Sequence, residues 1–136
     1  MKTKISNELI RNFSPCYDPK TVVSDESEKL TVKAWVKKYR GELPDKDIVW
    51  LLCRHEFLSE KDLRLFACWC ARSVKQTDEM LAVIVVAERY ANGEATDREL
   101  SAADYAARSA ARSAADSAAD YAARSAQVDK ILTYFK

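Results

Sequence analysis

Residues 102–125 read AADY AARS AARS AADS AADY AARS, six tetrapeptides of the form Ala-Ala-(Asp/Arg)-(Tyr/Ser). Alanine is the strongest helix former, and no glycine or proline interrupts the run, so the tract predicts helix. Thr96-Asp97-Arg98-Glu99 just ahead of it reads as a capping box, a hydroxyl and a carboxylate that satisfy the free N–H groups of a helix start. Uninterrupted from Asp97 to about Tyr134, such a helix spans roughly 57 Å at about 1.5 Å per residue. That exceeds the width of a globule of 136 residues, so the helix either protrudes or bends.

The period of four matters. Four residues advance about 400° on a helix, so each repeat is displaced roughly 40° around the axis. This is no heptad and predicts no left-handed coiled coil. It produces an i±4 ridge of methyl groups, low enough for another helix to cross closely. Asp104–Arg108, Arg112–Asp116 and Asp120–Arg124 are opposite-charge i, i+4 pairs, each contributing about 0.2–0.5 kcal/mol, while Arg108–Arg112 and Asp116–Asp120 oppose them. The tract stabilises itself and has little to bury beyond methyls, Tyr105 and Tyr121. Its polar and aromatic positions (Tyr105, Arg108, Arg112, Asp116, Asp120, Tyr121 and Arg124) are therefore the candidate partner-contact residues. Beyond Ala126, Val128, Ile131, Leu132 and Phe135 restore an ordinary apolar stripe that predicts docking onto the body.

Upstream, the signals are those of a helical body. Val32, Trp35, Val36 and Tyr39 follow i, i+3, i+4, i+7, with Gly41 placed to end the helix. A second helix begins near Pro44-Asp45 and carries Ile48, Leu51 and Leu52. A third begins at Ser59, with Leu63, Phe66, Ala67, Cys70 and Val74 as its apolar face and Asp62 in the capping-box position of a glutamate. Thr77-Asp78-Glu79 opens a fourth, ended by Gly93. Its core, Leu81 to Ala87, is apolar around the whole circumference and predicts a central, surrounded helix rather than a strand, since no second strand offers itself for pairing. Residues 1–28 are the least decided: Ile5, Leu9, Ile10 and Phe13 suit a short helix, which Ser14-Pro15 must interrupt. The expectation is an all-α domain of five or six helices, divided as a poorly defined segment 1–28, a helical body 29–96 and a long alanine-repeat helix 97–136.

Composition narrows the function classes. Hydrophobic residues make up 48% of the chain, but thirteen of the twenty alanines lie between Ala102 and Ala126, and without alanine the apolar fraction is about a third. One modest core follows. Two glycines (Gly41, Gly93) and three prolines (Pro15, Pro19, Pro44) argue against an all-β fold and exclude glycine-dependent phosphate loops. Fifteen basic residues face eleven acidic ones over 1–76, and seven face ten over 77–136, for a net +1. Neither half has the basic excess usual in a nucleic-acid binder. Met1-Lys2-Thr3-Lys4-Ile5 lacks the apolar stretch of a signal peptide, and the longest apolar run, eight residues from Met80, is too short to span a membrane. With four cysteines and no secretion signal, the expectation is free thiols in the cytoplasm of a bacterial host cell.

No catalytic constellation emerges. In Cys68-Trp69-Cys70 the two thiols lie on a predicted helix about 200° apart, which prevents their sharing one ion. Cys53 and His55 have the same defect. His55 is the only histidine, and no local motif brings it to a thiol. The expectation is no enzyme, no metal and no cofactor. Lys33, Lys37 and Arg40 share a helix face, and residues 45–75 can be read as helix-turn-helix with Lys61, Arg64 and Arg72 on the second helix. The acids Glu60 and Asp62 flank its reading end, which weakens that alternative.

Leu65-Phe66-Ala67-Cys68-Trp69-Cys70-Ala71-Arg72, then Val86-Ala87-Glu88-Arg89-Tyr90-Ala91-Asn92-Gly93-Glu94-Ala95-Thr96 and the alanine repeat, resemble a group of small uncharacterised phage and bacterial alanine-repeat proteins, some grouped with predicted bacterial immunity proteins. The resemblance covers about residues 48–126 and includes no catalytic motif. It implies a phage or bacterial setting and an inhibitor or immunity factor acting by binding. The leading expectation is thus a non-catalytic protein-binding module. A nucleic-acid-binding regulator using residues 33–75 and a structural protein self-associating through the alanine helix are the alternatives.

Overall fold

The computed structural model describes residues 1–73, 77–103 and 121–136. The described chain is mostly helical, with one correction to the all-α expectation. Lys4–Ile5 (β1) pairs antiparallel with Leu30–Thr31 (β2), in the register Lys4↔Thr31 and Ile5↔Leu30. The ladder is only two residues long, too short to leave an alternating pattern in the sequence. It forms because Ile5 is completely buried, and the backbone that places it there must still pair its N–H and C=O groups.

Ser6 leaves the strand and caps Asn7–Arg11 (α1), its hydroxyl accepting from the Leu9 N–H at 3.2 Å. Asn7, 1% exposed, donates through Nδ2 to the Val23 carbonyl at 2.6 Å, tying the helix to the returning chain. Arg11 adds a forked pair to Glu26 at 2.5 and 2.6 Å. Ile5, Leu9, Ile10 and Val23 all belong to the main core, so residues 1–28 are integral to the fold.

Thr31 caps Val32–Tyr39 (α2), which buries Val32, Trp35, Val36 and Tyr39 as their spacing predicts. Gly41 does not end this helix through a left-handed turn. Gly93 is the glycine with positive φ, at 77°. Asp45–Leu52 (α3) follows and buries Ile48, Val49, Leu51 and Leu52. Glu60–Arg72 (α4) starts at Ser59, whose Oγ accepts from the Asp62 N–H at 3.0 Å and donates to Asp62 Oδ2 at 2.8 Å. The predicted Asp-for-Glu substitution therefore works, through the hydroxyl rather than through a reach back to the cap N–H.

The principal departure concerns Asp78–Ala91 (α5). It is a helix capped by Thr77, as expected, but it is peripheral. Only Ile84 and Ala87 are buried along it, and Val85 is 42% exposed. Its main neighbour is α4, joined through Cys68, Ala71, Ile84 and Ala87 in a small cluster separate from the main core. A forked ion pair between Arg72 and Glu88 at 2.6 and 2.7 Å reinforces the contact. The centre of the molecule is instead α3, covered by the N-terminal segment, α2, α4 and the C-terminal helix. With about a third of the chain made of larger apolar residues, there are too few elements to surround two helices.

Residues 97–103 (α6) are helical, with Thr96 Oγ1 accepting from the Glu99 N–H at 3.2 Å. Tyr121–Leu132 (α7) then lies along α3, with Val128 and Ile131 fully buried and Leu132 and Phe135 packed beside them. The predicted docking stripe is thus in place. Arg40 pins the helix at its outer side, donating to Asp129 Oδ1 at 2.6 Å and to Ser125 O and Oγ at 3.0 Å. The single long helix expected over 97–134 depends on residues 104–120, which lie outside the described residues.

Candidate functional site

Two features lie outside ordinary core packing. The first is the side of α5 turned away from α4. Ala82, Val85, Val86 and Arg89 recur at i, i+3, i+4 and i+7, so they form one stripe. Ala82 and Val85 are exposed and Val86 is half-buried. Arg89 bounds the stripe at its C-terminal end, where its guanidinium donates to the Glu94 carbonyl at 2.8 Å. The stripe is held rigid from below by Ile84 and Ala87, and at its end by a Schellman motif. There the Gly93 N–H bonds to Tyr90 O at 3.0 Å and the Glu94 N–H to Arg89 O at 2.7 Å. The same all-round apolar run that suggested a central helix is what leaves valine and alanine facing solvent.

The second is a cavity of about 310 Å³ between α3, α4 and α7. Val49, Leu63, Phe66 and Ala67 supply its apolar wall. Cys53 from the end of α3 and Cys70 from α4 add their thiols, and Arg124 and Gln127 of α7 its strongly polar groups. Gln127 is 4% exposed and accepts from Arg124 Nη1 at 3.5 Å, a long bond. Burial pushes the Cys53 thiol up to about 12 and the Cys70 thiol to about 11, with Arg124 acting in the opposite sense on Cys70. Cys68 belongs to the cluster on the other side of α4 and is likewise pushed up by burial to about 11. The neighbouring cysteines of Cys68-Trp69-Cys70 therefore serve different clusters, as the geometry of a helix requires. At neutral pH all three are uncharged thiols, and the nucleophile of cysteine chemistry is the thiolate. His55 is exposed, on the turn after α3.

Among the described residues, no three or more His, Cys, Asp or Glu side chains converge on a metal position. Of the cations singled out for phosphate contact, Arg40 pairs with Asp129 at 2.6 Å, Arg64 with Glu60 at 3.3 Å and Arg72 with Glu88 at 2.6 Å, while Lys33, Lys37 and Lys61 are exposed.

Of the predicted partner-contact residues, Arg124 lies in α7, half-buried at the cavity. Tyr121 is the first residue of α7, and its side chain lies outside the described part. Tyr105, Arg108, Arg112, Asp116 and Asp120 lie outside the described residues. Sequence reasoning missed Gln127 because a single glutamine between Ala126 and Val128 carries no signal of burial. It missed the common cavity of Cys53 and Cys70 because that proximity is tertiary. No helix among the described residues is long and apolar enough to cross a membrane. Comparison of the chain with known protein families, curated proteins and solved structures found no match.

Proposed function

We propose that this chain is a non-catalytic protein-binding module whose contact surface is the outer stripe of α5 together with the alanine tract. The observation that carries the reading is the exposure of Ala82 and Val85 on a helix clamped from its opposite side. Small apolar side chains at i, i+3 and i+4 let a second backbone approach closely, the geometry by which an amphipathic helix seats against a partner. The occupant that fits is an apolar helix face of a partner protein, with Arg89 at the edge of the stripe paired to Glu99 at 3.7 Å. The tract residues Tyr105, Arg108, Arg112, Asp116, Asp120, Tyr121 and Arg124 are the second set of contact residues in this reading.

Carboxylate pairing of Arg40, Arg64 and Arg72 supports a protein partner over nucleic acid at those three of the six candidate cations, because binding phosphate there would first require breaking the pairs. Protonated thiols and an exposed His55 support a non-catalytic role. A bacterial or phage setting, with an inhibitor or immunity role in the cytoplasm, rests on the resemblance carried by residues 48–126.

The test compares quantitative capture from bacterial lysate by wild type, Val85→Glu and the tract-disrupted double variant Ala110→Pro, Ala118→Pro. A stoichiometric partner lost with Val85→Glu, at unchanged helicity, is the expected result. Equal capture by all three removes both surfaces from the binding role. Solution mass separates self-association from binding of a different protein.

A further inference from the structure

The cavity between α3, α4 and α7 has a chemistry distinct from the α5 stripe and shares only Arg124 with the proposed contact residues. Its walls are hydrocarbon: Val49, Leu63, Phe66 and Ala67. Into it come a guanidinium, Arg124, and a buried amide, Gln127, and no carboxylate among the described residues lines it. Among the described residues, Arg124 is bonded through the long 3.5 Å contact to Gln127, and no carboxylate lies within ion-pair distance of it. A buried charge ordinarily carries a counter-ion or a full set of hydrogen bonds, and here a half-buried guanidinium with no counter-ion among the described residues stands beside apolar surface. At about 310 Å³ it falls at the small end of the range of ligand pockets, about 300–1,000 Å³.

We propose that this cavity is a binding site for a small apolar monocarboxylate, its hydrocarbon against Val49, Leu63, Phe66 and Ala67 and its carboxylate on Arg124 and Gln127. Each part of the ligand class follows from a lining group. The planar guanidinium fork matches a carboxylate in two parallel hydrogen bonds. A single cation balances a single negative charge; a dianionic phosphate leaves one charge uncompensated against hydrocarbon. A neutral hydrocarbon leaves the guanidinium unmet, and a cationic ligand is repelled by it. Soft metal binding by Cys53 and Cys70 requires deprotonating two buried thiols and seating a cation beside that same guanidinium. The thiols stay protonated and act as apolar wall.

Their position supplies the test. N-ethylmaleimide modification of the intact protein is followed cysteine by cysteine by mass spectrometry, with sodium octanoate or 1-octanol as the probe. Cys16 is exposed and Cys68 belongs to the other cluster, so both act as internal references. Octanoate is expected to slow modification of Cys53 and Cys70 saturably and at least tenfold, with Cys16 and Cys68 unchanged. The isosteric alcohol is expected to protect at least tenfold less well. Arg124→Met is expected to abolish the protection by octanoate at unchanged helicity. Ala67→Phe, which fills the cavity while keeping the guanidinium, is expected to do the same, and provides the reading should Arg124→Met fail to fold. No saturable protection, equal protection by 1-octanol, equal slowing of Cys68, or protection that survives in a folded variant overturns the proposal.

Discussion

A few side chains fix where this chain turns and what it costs to disturb them. Gly93 sits at φ 77° with open space around it, so an added methyl meets no atom and only the backbone conformation is penalised. Gly93→Ala is expected to lower stability by about 1 kcal/mol, seen as a lower urea midpoint at unchanged slope. Gly41 has neither a positive φ nor a crowded neighbourhood, and Gly41→Ala serves as the control without that loss. Asn7 is a second such residue. Asn7→Ala leaves the Val23 carbonyl without its buried donor and is expected to cost about 1–3 kcal/mol, measured in the same way.

Ionisable groups near α2 set the pH response. Hydrogen bonds from Lys38 and Tyr39 hold Glu28 below the usual carboxylate range. A carboxylate depressed in the folded state contributes stability present above its unfolded pKa and lost as pH falls through the folded value. Burial, then the Glu28 contact, raises Tyr39 above the ordinary phenol. Its contribution is full below the unfolded pKa of about 10 and is lost as pH rises beyond it. Urea midpoints from pH 2 to 11 are expected to fall at both ends. Glu28→Gln is expected to flatten the acid limb. An acid limb unchanged in that variant contradicts the assignment to Glu28.

At the scale of elements, α4 is the shared wall. Phe66, with Leu63 and Cys70 beside it, faces the main core, and Cys68 with Ala71 faces α5. Among the described residues, helix α5 rests on α4 and on Leu100 of α6, while α3 is enclosed. Native-state hydrogen exchange is expected to show α5 amides opening at a lower free energy than those of Leu51 and Leu52 in α3. Ile84→Ala, at a position 1% exposed, is expected to widen that gap by about 2–4 kcal/mol. Exchange of α5 and α3 at one common free energy contradicts the two-cluster description.

These elements show what the sequence could convey. The stripe of Val32, Trp35, Val36 and Tyr39, the caps at Ser59, Thr77 and Thr96, and the docking residues Val128 and Ile131 were all legible, because each is a local pattern with a local cause. The placement of α5 was not. An all-round apolar run from Leu81 to Ala87 states that the helix has no polar face, and a central helix and a helix with an exposed binding stripe satisfy that equally. The β1–β2 pair and the cavity depend on contacts between residues far apart in sequence, which no spacing encodes. Cys53 and Cys70 were singled out for their chemistry, but their common cavity with Arg124 arises only from the packing of three helices.

For the whole molecule, a net charge of +1 provides little long-range steering, so the proposed recognition falls to shape and to the α5 stripe. Val85→Glu is expected to leave stability within about 0.5 kcal/mol, as surface substitutions do, while removing partner capture. The most direct measurement places a photo-crosslinking amino acid at position 85 in bacterial cells, with the exposed Lys33 position as the comparison. The reading predicts a discrete protein adduct from position 85 and none from position 33. No adduct at 85, or the same adducts from both positions, contradicts it.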